Sequence, residues 1–142
     1  MAHPITQFDT LVTALRQGLK QWHTEEYQTD SAVEKLYLFR LRKRTTGGHE
    51  RLIFNQLVLD ALDQLQQEHP YDALLIRKRF LDGLSIRHVA NQQNVAESSI
   101  YPQQRAAIKR LATVLLHLDQ TTQQQQLASN MRCLPHKPIQ VS

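Results

Sequence analysis

Apolar side chains recur every three or four residues through most of this chain, the spacing that gathers them on one face of an α-helix. No stretch alternates as a half-buried strand does. Phe8, Leu11, Val12, Leu15, Leu19 and Trp22 form the first such stripe, and Thr6 with Asp9 three residues on offers oxygens to the free N–H groups that open a helix. The polar run His23–Asp30 reads as a connection. Ser31-x-x-Glu34 has the form of a capping box, with Val33, Leu36, Tyr37 and Leu41 as inward positions of a second helix. Thr45-Thr46-Gly47-Gly48 ends that helix, because Gly accepts a left-handed cap. A third helix is expected from about His49 to His69, with Phe54, Leu57, Val58, Ala61, Leu62 and Leu65 inward. Pro70 stops it, since Pro has no N–H and disfavours helix in the residue before it.

Further on, the pattern predicts helices at about 72–82, 86–93 and 98–118. Beyond Leu118 the apolar period lapses. Asp119-Gln120-Thr121-Thr122, the run Gln123 to Gln126, and Pro135 and Pro138 read as a flexible tail or linker. The expected fold class is therefore all-α. It comprises a helical N-terminal region at 1–69, a second helical module at 70–118 and a tail at 119–142.

Composition narrows the function classes. A length of 142 residues suits one domain, or one domain with a small helical appendage, and 41% hydrophobic content argues against wholesale disorder. No apolar run approaches the roughly 18–20 residues that span a bilayer. The opening MAHPITQFDT lacks the charged-then-apolar form of a secretion signal, and the lone Cys133 has no partner for an internal disulfide. A cytoplasmic protein with no membrane partner is expected. His3, His23, His49, His69, His88, His117 and His136 show no paired ligand spacing, so no metal and no cofactor are expected. No Ser/His/Asp or Cys/His grouping emerges, so no catalytic residue is expected and the chain does not read as an enzyme.

The charge is unevenly spread. Residues 1–69 hold eight Lys/Arg against nine Asp/Glu, residues 70–118 seven against three, and residues 119–142 two against one. The net +4 thus resides in one stretch of about fifty residues. Such a stretch suits a polyanionic partner or a solvated basic surface. The densest run, Arg40, Arg42, Lys43 and Arg44, lies at a helix end, where the helix dipole favours cations without any partner. Of Arg77, Lys78 and Arg79, one or two are expected to be solvated.

The informative segment opens on Arg79-Phe80-Leu81-Asp82-Gly83-Leu84-Ser85 and runs to Tyr101. A helix ends at Gly83, and Ser85 can cap a short helix whose Ile86, Val89 and Ala90 face inward. Asn94 suits a left-handed turn, and Val95 is expected to lie buried beneath it. Ile100, Ala107, Ile108, Leu111, Val114, Leu115 and Leu118 then give the buried stripe of a longer helix. A short helix, a three-residue turn and a longer helix make the helix-turn-helix layout, whose second helix enters the major groove.

These residues resemble region four of bacterial sigma factors. That family leads with Arg, an aromatic, any residue, an acid, Gly, any residue and Ser or Thr, matched by Arg79 to Ser85. Its turn is matched by Val95-Ala96-Glu97-Ser98-Ser99-Ile100 and its close by Ala107-Ile108-Lys109-Arg110-Leu111. The likeness is ungapped and covers about a third of the chain. It implies a bacterial transcription regulator that binds double-stranded DNA, with RNA polymerase or a downstream domain of a longer chain as further partner. The resemblance places Arg87 on the first helix and Ser98, Tyr101 and Pro102 on the second against DNA, and the outward face of the second helix adds Arg105 and Lys109, with Ser99 and Gln103 beside them, to the expected DNA-binding residues. Glu97 also falls where the family reads bases.

Two residues depart from the family. Ala96 stands where a Ser or Thr usually caps the helix, a loss of about 1 kcal/mol. Pro102 lies inside the recognition helix if that helix begins at Glu97, but in a harmless first turn if it is capped at Ser99. The alternative reading is an adaptor that keeps this fold to bind protein. The two readings diverge on whether the N-terminal helices cover Ser98, Tyr101, Arg105 and Lys109. No counterpart of the promoter-melting region precedes the module, and no Gly-rich phosphate loop is present.

Overall fold

The computed structural model describes residues 7–24 and 29–132, and these are all-α. The helices are α1 (Gln7–Lys20), α2 (Ser31–Glu34), α3 (Tyr37–Thr46), α4 (Glu50–Glu68), α5 (Pro70–Ile76), α6 (Ile86–Gln93) and α7 (Glu97–Arg132). A π-helical turn, Arg77–Leu81, continues α5. Thr6, His3, Cys133, Pro135, Pro138 and His136, which entered the sequence reading, lie outside the described residues, as do residues 25–28 of the expected connection. Among the described residues no helix is long and apolar enough to cross a membrane.

The expected second helix is two helices. Asp30 rather than Ser31 is the cap, its carboxylate accepting from the Ala32 N–H at 2.8 Å, and Ser31 is already helical. The chain then turns extended at Leu36 (φ −64°, ψ 142°) before α3 begins. Burial explains the break: Val33, Leu36, Leu38 and Phe39 are all buried, whereas Tyr37 and Leu41 are only partly so. At 100° per residue a continuous helix would turn Leu36 and Leu38 to nearly opposite sides. Leu36 has no side chain to cap α3, so Asp119 of α7 supplies one, accepting from the Leu38 N–H at 2.7 Å. Gly47 ends α3 in the left-handed region (φ 64°) with its N–H on the Lys43 carbonyl, as the sequence predicts.

α4 spans nearly the expected range and buries all six expected residues, with Ile53 in addition. Pro70 ends it and also serves as the first residue of α5, where its missing N–H costs no hydrogen bond. Helix α7 overrides the expectation of irregular chain after Leu118: it runs unbroken to Arg132, 36 residues and about 54 Å. Residues 119–132 contain no Gly or Pro and are rich in Gln, a fair helix former, so propensity sustains the helix where periodicity lapses.

Buried side chains fall into two clusters. The larger draws on α1 to α5 and the middle of α7, with Leu15, Phe54, Leu57, Leu62, Leu65, Ile76, Ile108 and Leu111 all essentially inaccessible. Gly18 of α1 packs where the Phe54 ring leaves no room for a Cβ. The smaller cluster holds only Leu75, Ile86, Val89, Ala90 and Ile100, with Leu84 against it.

Candidate functional site

The smaller cluster lies beneath two helices joined by a tight turn. Ser85 caps α6, its hydroxyl accepting from the His88 N–H at 3.0 Å, and Ile86, Val89 and Ala90 turn inward. Asn94 takes the left-handed conformation (φ 57°, ψ 44°). Its N–H meets the Asn91 carbonyl at 3.2 Å, and the Val95 N–H meets the Ala90 carbonyl at 3.0 Å. These two bonds are a Schellman motif, which satisfies carbonyls at the end of α6. Val95 is not buried, contrary to the sequence reading: it is 38% exposed. Its apolar partner in such a motif is Ala90, whose single methyl offers little to bury against.

The longer helix starts at Glu97, the Ser99 N–H reaching back to the Ala96 carbonyl at 3.0 Å. Of the two starts the sequence left open, this is the one that puts Pro102 inside the helix. Pro102 cannot donate to the Ser98 carbonyl, and an interior proline costs a helix about 3 kcal/mol. Ile100, Ala107, Ile108, Leu111, Val114 and Leu115 are buried as expected, and Leu118 is partly buried.

The outward face is open among the described residues. Arg87, Ser98, Ser99, Tyr101, Pro102, Gln103, Arg105 and Lys109 are all exposed, and among the described residues the N-terminal helices do not pack over them. Ser98, Pro102, Arg105 and Lys109 follow one another at four, three and four residues and share one stripe. Tyr101, 50% exposed, flanks it on one side, with Ser99 and Gln103 on the other. Arg87 belongs to α6, where Ser85, Arg87, His88, Asn91 and Gln92 line an open polar depression of about 450 Å³. Sequence reading named only Arg87 among these as a contact. Its neighbours at one turn, Asn91, and beside it, His88, share the exposed side, a signal that helical spacing carried.

The basic stretch divides into cations the fold uses and cations it leaves outward. Arg77 pairs with Asp63 at 2.9 Å, Lys78 donates to Gln92 at 2.9 Å, and Arg110 pairs with Asp72 at 2.5 Å. Arg79 donates from Nε to Gln104 Oε1 at 2.9 Å and from Nη1 to the Leu84 carbonyl at 2.6 Å, with its guanidinium 5.3 Å from the Phe80 ring centre. Burial lowers the Arg79 pKa from its usual value, and the nearby Tyr101 acts in the opposite sense. Arg79 thus ties the turn after α5 to Gln104 of α7. None of the three cations at 77–79 is simply solvated, a correction that only tertiary contacts supply. Arg87, Arg105 and Lys109 have no such partner among the described residues. In the N-terminal run, Arg42 pairs with Asp60 and Lys43 with Glu50, leaving Arg40 and Arg44 exposed. Among the described residues no group of His, Cys, Asp and Glu could hold a metal.

No family model matches the chain, and no curated protein or solved structure matches it either.

Proposed function

We propose that the chain is a DNA-binding transcription regulator that seats the first turns of α7 in the major groove. The observation that carries this reading is the uncovered stripe Ser98, Pro102, Arg105 and Lys109, with Arg87 exposed on the preceding helix. A helix of this diameter fits the major groove, where small polar residues early in the helix meet base edges and cations further on meet phosphates. The tie to sigma region four rests on the sequence motif alone. Glu97 at the helix N-terminus is favoured by the helix dipole and can accept from a cytosine amine, the one acidic group in the turn that opens the recognition helix. On this reading the chain binds and does not catalyse.

The second reading, an adaptor that docks protein on the same face, draws support from the exposed apolar side chains of Val95 and Tyr101 beside it. Binding to duplex DNA across a salt series separates the two. Three cations meeting phosphates give a slope of log affinity against log salt of about −2.7. A flat response, or no binding at low salt, favours the adaptor.

A further inference from the structure

We infer that Pro102 is the specificity-determining residue of this face and that it reads the C5-methyl group of a pyrimidine in the major groove. The inference rests on the DNA-binding reading above and adds to it the chemistry of the base being read.

Pro102 occupies an interior position of α7, forgoes a ladder hydrogen bond there, and is exposed, so it contributes nothing to either buried cluster. A residue that weakens its helix without serving the core marks a place where folding rules yield to another demand. Its ring stands in the middle of the outward stripe, one turn after Ser98 and one turn before Arg105. A proline side chain has no hydrogen-bond donor or acceptor, so it cannot pair with the polar edge of any base. The one apolar group the major groove displays on unmodified DNA is the thymine methyl, which side chains such as Ala, Thr and Phe contact. Tyr101, half exposed on the flank, extends the same apolar surface. Ser98 before it offers a hydroxyl to a neighbouring base edge and Arg105 after it reaches toward a phosphate, so the apolar ring is flanked by a polar group on either side. The methyl of 5-methylcytosine occupies the same place in the groove and presents the same chemistry.

The test is selection of bound sequences from a randomised duplex library by the full chain, followed by base replacement in the selected site. Wild type should select a thymine at one position whose replacement by deoxyuridine weakens binding about four-fold, the worth of one buried methyl. At that position 5-methylcytosine should bind more tightly than cytosine if the methyl itself is read, whereas a response to thymine alone assigns the contact to the A·T pair and overturns the proposal. In Pro102→Gln the deoxyuridine effect should vanish and the preference should move toward adenine, whose edge suits an amide. Deoxyuridine without effect at every thymine, or an effect unchanged in Pro102→Gln, overturns the proposal while leaving DNA binding intact. Absence of any salt-dependent binding removes the proposal together with the reading beneath it, a different and recognisable outcome.

Discussion

Helix α7 serves two clusters of apolar side chains that differ several-fold in size, and the difference sets what each part of the molecule can do. Its middle, Ala107 to Leu115, is locked into the large cluster by four other helices. Its first turns contribute only Ile100 to a cluster of five residues that holds α6 in place. The first turns of α7 are therefore presented as the stiff end of a helix anchored elsewhere, while α6 rests on a small patch plus the Lys78 contact to Gln92. Local stability follows buried apolar contact, so α6 and its turn should open before the N-terminal helices do. The cations divide along the same line. Within the basic stretch, Arg77 and Arg110 pair with Asp63 and Asp72 beside the large cluster, whereas Arg87, Arg105 and Lys109 on the outer face of α6 and α7 are exposed.

The small cluster depends most on Ile100. Its truncation, Ile100→Ala, removes a fully buried side chain from a cluster with few members, and should cost about 2–5 kcal/mol. Amide exchange should show α6 losing protection while α1 and α4 keep theirs. A uniform loss across the molecule would mean that the two clusters act as one, and a melting temperature that does not move would mean α6 and α7 do not pack as described.

Pro102→Gln acts on the same end of α7 in the opposite direction. Because the helix starts at Glu97, the substitution restores a hydrogen bond to the Ser98 carbonyl and should stabilise by about 2–3 kcal/mol. Urea unfolding reads this directly. No gain would place the helix start at Ser99 in solution.

Within the large cluster, Gly18→Ala should destabilise by about 1–3 kcal/mol, since an added Cβ meets the Phe54 ring. Thermal unfolding that shows a gain, as ordinary helix propensity gives, would mean the ring moves aside freely. The smallest effect is expected at Glu50, where the Lys43 hydrogen bond holds the carboxyl below its usual range. A depressed carboxylate pKa contributes stability that is present above the ordinary value of 4.5 and is lost as pH falls through the folded value. Denaturant midpoints followed below that pH should fall slightly more for wild type than for Glu50→Gln. Equal slopes would mean the exposed pair contributes nothing, as many surface pairs do.

Most of the helical layout was legible from periodicity, including the six inward residues of α4, the Ser85 cap and the left-handed Asn94. What escaped it depended on distant contacts. The break between α2 and α3 needs Asp119, 81 positions away, to cap the second helix, and no local signal announces that. The roles of Arg77, Lys78 and Arg79 rest on Asp63, Gln92 and Gln104, which sequence spacing cannot pair. The continuation of α7 past Leu118 has the opposite cause. Helix propensity acts there without an apolar stripe, so a reading based on stripes stops too soon. At the candidate site the outward residues were legible because the buried face of α7 was. The depth of Val95 was not, since it turned on how little Ala90 can cover.

Whether the outward face of α7 meets the phosphates and bases of duplex DNA is decided by comparing two proteins. Wild type and Arg105→Ala/Lys109→Ala are titrated with the same duplex across a salt series, with circular dichroism confirming that both are folded. Both residues are exposed and unpaired among the described residues, so the fold should be untouched. The double variant should bind more weakly at every salt concentration, with a slope flatter by up to about two units. Equal affinity and equal slope in a folded variant would contradict DNA binding by this face.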